Sequence, residues 1–205
     1  MSVVAVTGYI PLPCTHRSPE VYAILGGRLL DACPRAVCFR RTLADTWMAR
    51  RLGGVEPGGK DSVAYHCVQH EKFQWLEDAA AAVNADTLAW LDYSIMHLPD
   101  TTNNTVARFL ERVEQSPPDR IVSPSAGAGY EGRSTPDWLF LGGVLVMPRS
   151  LTGWLLEQCK AHATHESWEV NTLGVVARHH PEKFLFYTAD HNASMLENYA
   201  CLPRS

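Results

Sequence analysis

Apolar positions along this chain alternate between two rhythms. Val3-Val-Ala-Val6 is an unbroken, mostly β-branched apolar run, the pattern of a short strand covered on both faces. It leads into Thr7-Gly8-Tyr9, where glycine permits a turn that side chains would obstruct. Ser18-Pro19-Glu20 reads as a helix start: a hydroxyl N-cap, Pro at the first helical position and an acid in the first turn. Val21, Ile24, Leu25, Leu29 and Ala32 fall on one face of that helix, and Pro34 ends it. Residues 36–39 form a second short strand. Thr42-Leu-Ala-Asp45 has the form of a capping box opening a helix to Arg51, followed by a Gly- and Pro-rich loop at 53–59. Residues 62–68 read as a third strand. Residues 70–83 read as a helix with Phe73, Leu76, Ala80 and Val83 inward.

Leu88-Ala-Trp-Leu91 is the fourth strand, and it ends abruptly in Asp92. Asn103 or Asn104 then opens a helix with Val106, Phe109, Leu110 and Val113 on one face, stopped by Pro117-Pro118. Residues 120–123 form strand five. Strand and helix thus alternate over 1–123, which predicts an α/β fold with a mostly parallel, doubly wound sheet flanked by helices. At Pro124 the pattern changes. Residues 125–136 are rich in Gly and Ser without apolar periodicity. Residues 139–147 read as an apolar strand carrying Gly142 and Gly143, whose adjacency points to a bulge or a close approach by ligand. A helix capped by Ser150, another over 167–179 ended by Pro181, and a last strand at 184–187 complete the chain. The expected organisation is one domain with two halves, 1–123 and 124–205.

Composition narrows the function classes. The chain has 205 residues, 46% of them hydrophobic, which supplies a full core, and a formal net charge of −4. That charge and the absence of a basic run argue against nucleic acid as a partner. No stretch has the length and apolarity of a transmembrane segment, and the start of the chain reads as a strand rather than a signal peptide. Cysteines at 14, 33, 38, 67, 159 and 201 are scattered with no CxxC spacing, as expected of reduced thiols in a cytoplasmic protein.

Four groups of residues could carry chemistry. Gly127-Ala-Gly-Tyr-Glu-Gly132 has the GxGxxG spacing, but Arg133-Ser-Thr-Pro136 after it does not read as the helix that a dinucleotide site requires. This disfavours a nicotinamide-dependent oxidoreductase, and a loop over a site fits better. His162, His165, His179 and His180 sit near helix ends with no zinc-binding spacing. Asp92, with Tyr93 and Ser94, stands at the carboxyl end of a central strand. There it either caps the next turn or holds a divalent cation bridging a diphosphate, helped by Asp190 or His191. Glu169 follows Trp168 at the edge of an apolar helix stripe. It is either a solvated first-turn acid or a partly buried general base with a raised pKa.

Taken in order, Thr7-Gly8-Tyr9, Leu91-Asp92-Tyr93, Leu139-Phe-Leu-Gly-Gly-Val-Leu145, Trp168-Glu169-Val-Asn-Thr172 and Tyr187-Thr-Ala-Asp-His-Asn192 resemble the nucleotide-sugar-dependent glycosyltransferases of the GT-A fold, especially short bacterial and viral ones. The resemblance implies sugar transfer from a nucleotide-diphosphate donor to a glycan or other hydroxyl acceptor, as in polysaccharide or glycan biosynthesis. It implies that the first half binds nucleotide and the second shapes the acceptor site. Carried over, Thr7, Gly8 and Tyr9 would contact the nucleoside, Asp92 and His191 would hold Mn2+ or Mg2+, and Gly142 and Gly143 would let the sugar lie on backbone. Glu169 would deprotonate the acceptor. The motif here is Asp-Tyr-Ser, without the second carboxylate of the family's DxD, so Arg17 or Lys72 are the candidates for neutralising the diphosphate without a metal. A nucleotidyltransferase and a non-catalytic nucleotide- or sugar-binding module stay open as alternatives. The first is disfavoured by a Pro-rich loop with a single Arg after the first strand.

Overall fold

Every central strand of this protein is apolar on both faces, and helices cover both. The computed structural model describes residues 2–12, 17–127 and 138–201. Its strands are β1 (Val3–Tyr9), β2 (Val37–Arg40), β3 (Thr87–Leu91), β4 (Ile121–Ser125), β5 (Val144–Pro148) and β6 (Phe184–Thr188). They form one six-stranded sheet in the order β2-β1-β3-β5-β4-β6. β1 is parallel to β2 and β3, and β4 is parallel to β6, while β5 runs antiparallel between β3 and β4. The helices are α1 (Pro19–Ala32), α2 (Trp47–Arg51), α3 (Val63–Ala82), α4 (Asn103–Gln115), α5 (Thr152–His162), α6 (Glu169–His179) and the single turn α7 (Ser194–Glu197).

The period-2 alternation of strands sorts the core into two layers. Val6, Leu88, Trp90, Leu145 and Met147 pack with Phe73 and Leu76 of α3, Leu155 of α5 and Val176 of α6. Ala5, Ala89, Leu91 and Val146 pack on the other side with Leu25 and Leu29 of α1, Phe109 of α4 and Leu196 of α7. The expected single α/β domain with a mostly parallel sheet flanked by helices is therefore observed. No helix among the described residues is long and apolar enough to cross a membrane.

Several elements differ from the sequence reading. Residues 62–68 are the first two turns of α3, not a strand. Ser62 caps the helix, its hydroxyl accepting from the Tyr65 amide at 3.2 Å, and the buried positions Ala64, His66 and Cys67 follow helical spacing, not alternation. The strand expected at 139–147 begins only at Val144. Gly142 and Gly143 lie in a turn before it, where the Val144 amide donates to the Leu141 carbonyl at 3.3 Å. No turn occurs at Thr7-Gly8-Tyr9; β1 continues through them, with Gly8 opposite Phe39 of β2. On α1, Val21 and Ile24 face solvent, and the buried face is Leu25, Gly26 and Leu29. A Thr102–Thr105 capping box, not an asparagine, opens α4.

A buried histidine ties α3 to α6. His70 Nδ1 donates to the His66 carbonyl at 2.9 Å, which leaves Nε2 to accept from the Thr172 hydroxyl at 2.9 Å. Both partners suit the neutral ring, and burial pushes its pKa down from 6.5 to about 4. In this window the unfolded chain binds a proton that the folded chain refuses. Stability must therefore fall as pH drops from about 6.5 toward about 4, by on the order of 3 kcal/mol from this group. Urea unfolding of the wild type and of His70→Gln at pH 7, 5.5 and 4.5 should show a shallower decline with acid in the variant.

Candidate functional site

After β1 the chain turns outward to β2, then crosses to the other side of β1 to form β3. Such a reversal opens a crevice beyond the carboxyl ends of the two strands. Because β5 is antiparallel, it begins at this same end, and its Gly142-Gly143 turn becomes a further wall. The resulting cleft has a volume of about 570 Å³. Gly8, Tyr9 and Arg17 line it from the first strand and the loop beyond. Asp92, Tyr93 and Ser94 line it from the end of β3. Gly142, Gly143, Glu169 and His191 complete it from the later part of the chain. These expected residues do converge. Thr7 and Lys72 do not reach the cleft: Thr7 is buried, and Lys72 lies behind the Glu169 wall.

Asp92 does two things. Its Oδ1 accepts from the Ser94 amide at 2.8 Å and the Ser94 hydroxyl at 2.7 Å, closing a turn at the strand end. Its own amide donates to the Gly143 carbonyl at 2.9 Å, fixing the β3 and β5 ends together. The carboxylate nonetheless lines the cleft, and Oδ2 makes no hydrogen bond among the described residues. The turn-capping and the cleft-facing readings of this residue therefore hold together.

The β1 and β3 ends of the cleft are aromatic. Tyr9 stacks on Tyr93 with ring centroids 4.9 Å apart, and Tyr22 lies 5.5 Å from Tyr9. Tyr93 is held by a helix that gives way to it: a Cβ on Gly26 would come within 1.9 Å of its ring. Gly8 answers to a similar demand, since a Cβ there would lie 2.3 Å from the Trp75 ring.

Glu169, the first residue of α6, is 3% exposed, not partly buried. Its Oε1 accepts from Lys72 Nζ at 2.8 Å, and the same ammonium donates to the Gly142 carbonyl at 2.9 Å and lies 5.6 Å from the Trp90 ring. Burial alone would raise this carboxyl, but the charge and hydrogen bond of Lys72 outweigh it and hold the group below the ordinary carboxylate range. The raised pKa expected for Glu169 is thus reversed. Lys72 is bonded to that carboxylate and is not among the residues lining the cleft. The glycines are explained by the same packing. A Cβ on Gly142 would lie 2.5 Å from Glu169 Oε1, and one on Gly143 would lie 3.0 Å from Met195. Protein side chains occupy the space a Cβ would need at those glycines, while both residues still line the cleft.

Several lining residues carried no recognisable signal in the sequence. Tyr65 was hidden by reading its segment as a strand. Its phenol is pushed well up by burial and by the negative charges of both Glu169 and Asp92, so it remains a proton-bearing donor. Lys60 and Asp61 come from the Gly-rich loop, and Asp61 holds a left-handed backbone at φ 67°. Trp168 and Trp138 also line the cleft, as does His97, five residues beyond Asp92. Of the remaining motifs, GxGxxG lies outside the described residues beyond Gly127. His162 packs on His179 at 5.1 Å and His180 on Trp154 at 5.2 Å, away from the cleft. Asp190 also stays outside the cleft lining.

The described residues gather no group of three or more donors able to hold a metal. What the cleft offers is one open Asp92 oxygen and the His97 and His191 rings, 5.6 Å apart. His97 Nδ1 donates to the Ser94 carbonyl at 2.6 Å, leaving Nε2 as the free ring nitrogen. Partial burial, then the neighbouring His97, lowers the pKa of His191 and favours its neutral, ligating form. This set could supply two or three of a cation's ligands and would leave the remaining coordination positions to other donors.

No protein-family model and no curated protein matches this chain. Among solved structures, a glycosyltransferase involved in glycosylation of the major capsid of PBCV-1 superposes with a TM-score of 0.57 at 11% identity, covering 92% of this chain and 82% of that one. A CMP:2-keto-3-deoxy-manno-octonic acid synthetase complexed with CTP gives a TM-score of 0.45 at 11% identity, covering 98% of each chain. The first likeness shows a shared GT-A-like fold.

The Lys72–Glu169 pair makes a sharp stability prediction. Lys72→Met strands a buried carboxylate and should cost about 3–5 kcal/mol, whereas Lys72→Met combined with Glu169→Gln should recover a large part of that loss. Urea unfolding of the single and double variants measures both.

Proposed function

We propose that this protein is a glycosyltransferase that moves a sugar from a nucleotide-diphosphate donor to an acceptor hydroxyl. The observation that carries the reading is the convergence of Asp92 and Glu169 on one cleft at the β1/β3 crossover, with aromatic residues on both sides. The cleft volume is in the range of small-molecule sites. In this reading the Tyr9–Tyr93 stack takes the nucleoside, and the first half of the chain supplies most of the donor site. Arg17, and Lys60 at the rim, face the diphosphate. The second half supplies the acceptor side.

The chemistry then follows from charge. The bond between the anomeric carbon and the diphosphate oxygen breaks, and the nucleoside diphosphate leaves with the bonding pair. The acceptor oxygen forms the new bond to that carbon, and its proton passes to Glu169, which Lys72 keeps ionised at neutral pH. In this reading the Tyr65 phenol, which lines the cleft and keeps its proton, donates a hydrogen bond to the reacting sugar or the departing oxygen. Mg2+ or Mn2+ on the donor would be met by Asp92 Oδ2 and the His191 imidazole, and when bound would offset diphosphate charge.

Nucleotidyl transfer from a nucleoside triphosphate is the competing reading. The lining charges favour the first. Arg17 and Lys60 are the lysine and arginine side chains among the described lining residues, against Asp61 and Asp92, with Glu169 already balanced by Lys72. A triphosphate carries more negative charge than a nucleotide sugar and is the poorer match.

A thermal-shift panel of nucleoside diphosphates, nucleotide sugars and CTP, each with and without Mn2+, tests this. The matching nucleotide sugar should raise Tm by roughly 5 °C at about 100 times Kd. Asp92→Ala should keep the fold, lose that shift and abolish release of nucleoside diphosphate. Full turnover in Asp92→Ala, or pyrophosphate release from CTP and a sugar acid, would exclude the assignment.

A further inference from the structure

Apart from the transferase reading, we infer that the outward face of α1 is a self-association surface, on which a second copy of this chain docks about a two-fold axis through Ile24. Val21, Ile24, Leu52 and Trp138 are the large apolar side chains left exposed among the described residues. Trp138 lines the cleft, and Leu52 stands alone at the end of α2. Val21 and Ile24 are three positions apart on one helix and 41% and 63% exposed, so they form one patch. The core face of α1 is already occupied by Leu25, Gly26 and Leu29. The patch is therefore a second apolar stripe, beyond what packing onto the sheet requires.

Gly27 points to the same face. Glycine is among the poorest residues for a helix interior, and α1 carries two. Gly26 is required by the fold, since a Cβ there would lie 1.9 Å from the Tyr93 ring. A Cβ on Gly27 would meet nothing within 4 Å beyond its neighbours in the helix. No contact inside the chain calls for that glycine. It leaves a notch beside Ile24 that lets another molecule approach the backbone closely.

Charge decides the occupant. At 3.6 residues per turn, Glu20, Val21, Ile24, Gly27, Arg28 and Asp31 fall within about 120° of arc centred on Ile24. Two antiparallel copies of α1 crossing at Ile24 bring together residues equally far before and after it. Glu20, four before, then meets Arg28, four after, and the two-fold axis makes that pair twice. Val21, three before, meets the Gly27 notch, three after. Neither Glu20 nor Arg28 enters an ion pair among the described residues. Such rim charges set orientation more than affinity. An anionic membrane would face Glu20 and Asp31 on the same stripe and is the poorer partner. One helix pair falls short of the roughly 1,600 Å² of a standard interface, so the dimer is weak, with a Kd on the order of 10–100 µM.

Sedimentation velocity of the full chain from about 5 to about 500 µM tests this. The weight-average mass should rise from 22.8 kDa toward twice that value and stop there. Ile24→Glu, which sets like charges at the axis, and Gly27→Leu, which fills the notch, should each weaken association by about tenfold or more. Gly27→Leu should do so while keeping or raising the Tm of the monomer, a combination that damage to the fold cannot produce. Glu20→Arg and Arg28→Glu should each stay monomeric alone, and their equimolar mixture should dimerise, because both crossed pairs are restored. A monomer at every concentration, growth beyond a dimer, undiminished association in Ile24→Glu, or a mixture no tighter than its components would each overturn the inference.

Discussion

The architecture of the cleft depends on one buried ion pair. Lys72 comes from the middle of α3 and Glu169 from the first turn of α6, and both are almost fully withdrawn from water. Desolvating two charges is costly, and such a pair rarely adds net stability over a well-packed apolar replacement. Its effect here is geometric. The ammonium also holds the Gly142 carbonyl, so one cation fixes the positions of α6, α3 and the turn before β5. The requirement that residue 142 be glycine follows, because a Cβ there would intrude on the carboxylate. Removing either charge leaves the other unmatched in a dry environment, so the arrangement is effectively all-or-none.

The sheet determines what that pair can face. An all-parallel sheet would start β5 at the far edge from the crevice, and its preceding turn would lie away from the cleft. Antiparallel β5 instead delivers Gly142 and Gly143 to the carboxyl ends of β1 and β3. The Asp92 amide then bonds the Gly143 carbonyl, so the cleft walls at the ends of β3 and β5 are joined by main chain as well as by side chains.

Much of this was legible from residue pattern. Leu88-Ala-Trp-Leu-Asp92 announced a buried strand with a carboxylate at its end, because apolar runs and an abrupt polar stop are local signals. The glycines at 142 and 143 marked a close approach, although what approaches is Glu169 and Met195. What could not be read depended on partners distant in sequence. Lys72 is separated from Glu169 by 97 positions, and nothing in its neighbourhood distinguishes a solvated helix lysine from one buried against a carboxylate. Its position determines the protonation state of Glu169, so the sign of that pKa shift was out of reach too. The helix at 62–68, where the sequence pattern predicts a strand, has a different origin. Val63, Tyr65 and Val68 carry strand propensity, but the Ser62 cap and tertiary burial of Ala64 and Cys67 override it. A strand pattern over this segment gives no sign that Tyr65 lines the cleft.

Asp92 shows why a local structural role and a chemical one need not compete. One oxygen is spent on the turn that carries Ser94, and that turn leads to His97, whose own ring is aimed by the Ser94 carbonyl. The second oxygen is thereby held in a fixed direction by bonds that do not consume it. A freely rotating aspartate at the same place would lose conformational entropy on meeting a ligand; this one has lost it on folding. The same economy holds for Glu169, with one oxygen anchored by Lys72 and the other without a protein partner among the described residues. Two carboxylates of one cleft lining, each tethered through a single oxygen, form a preorganised pair. Such a pair suits a ligand that brings hydroxyl protons or a cation to it better than one that brings bare anionic charge.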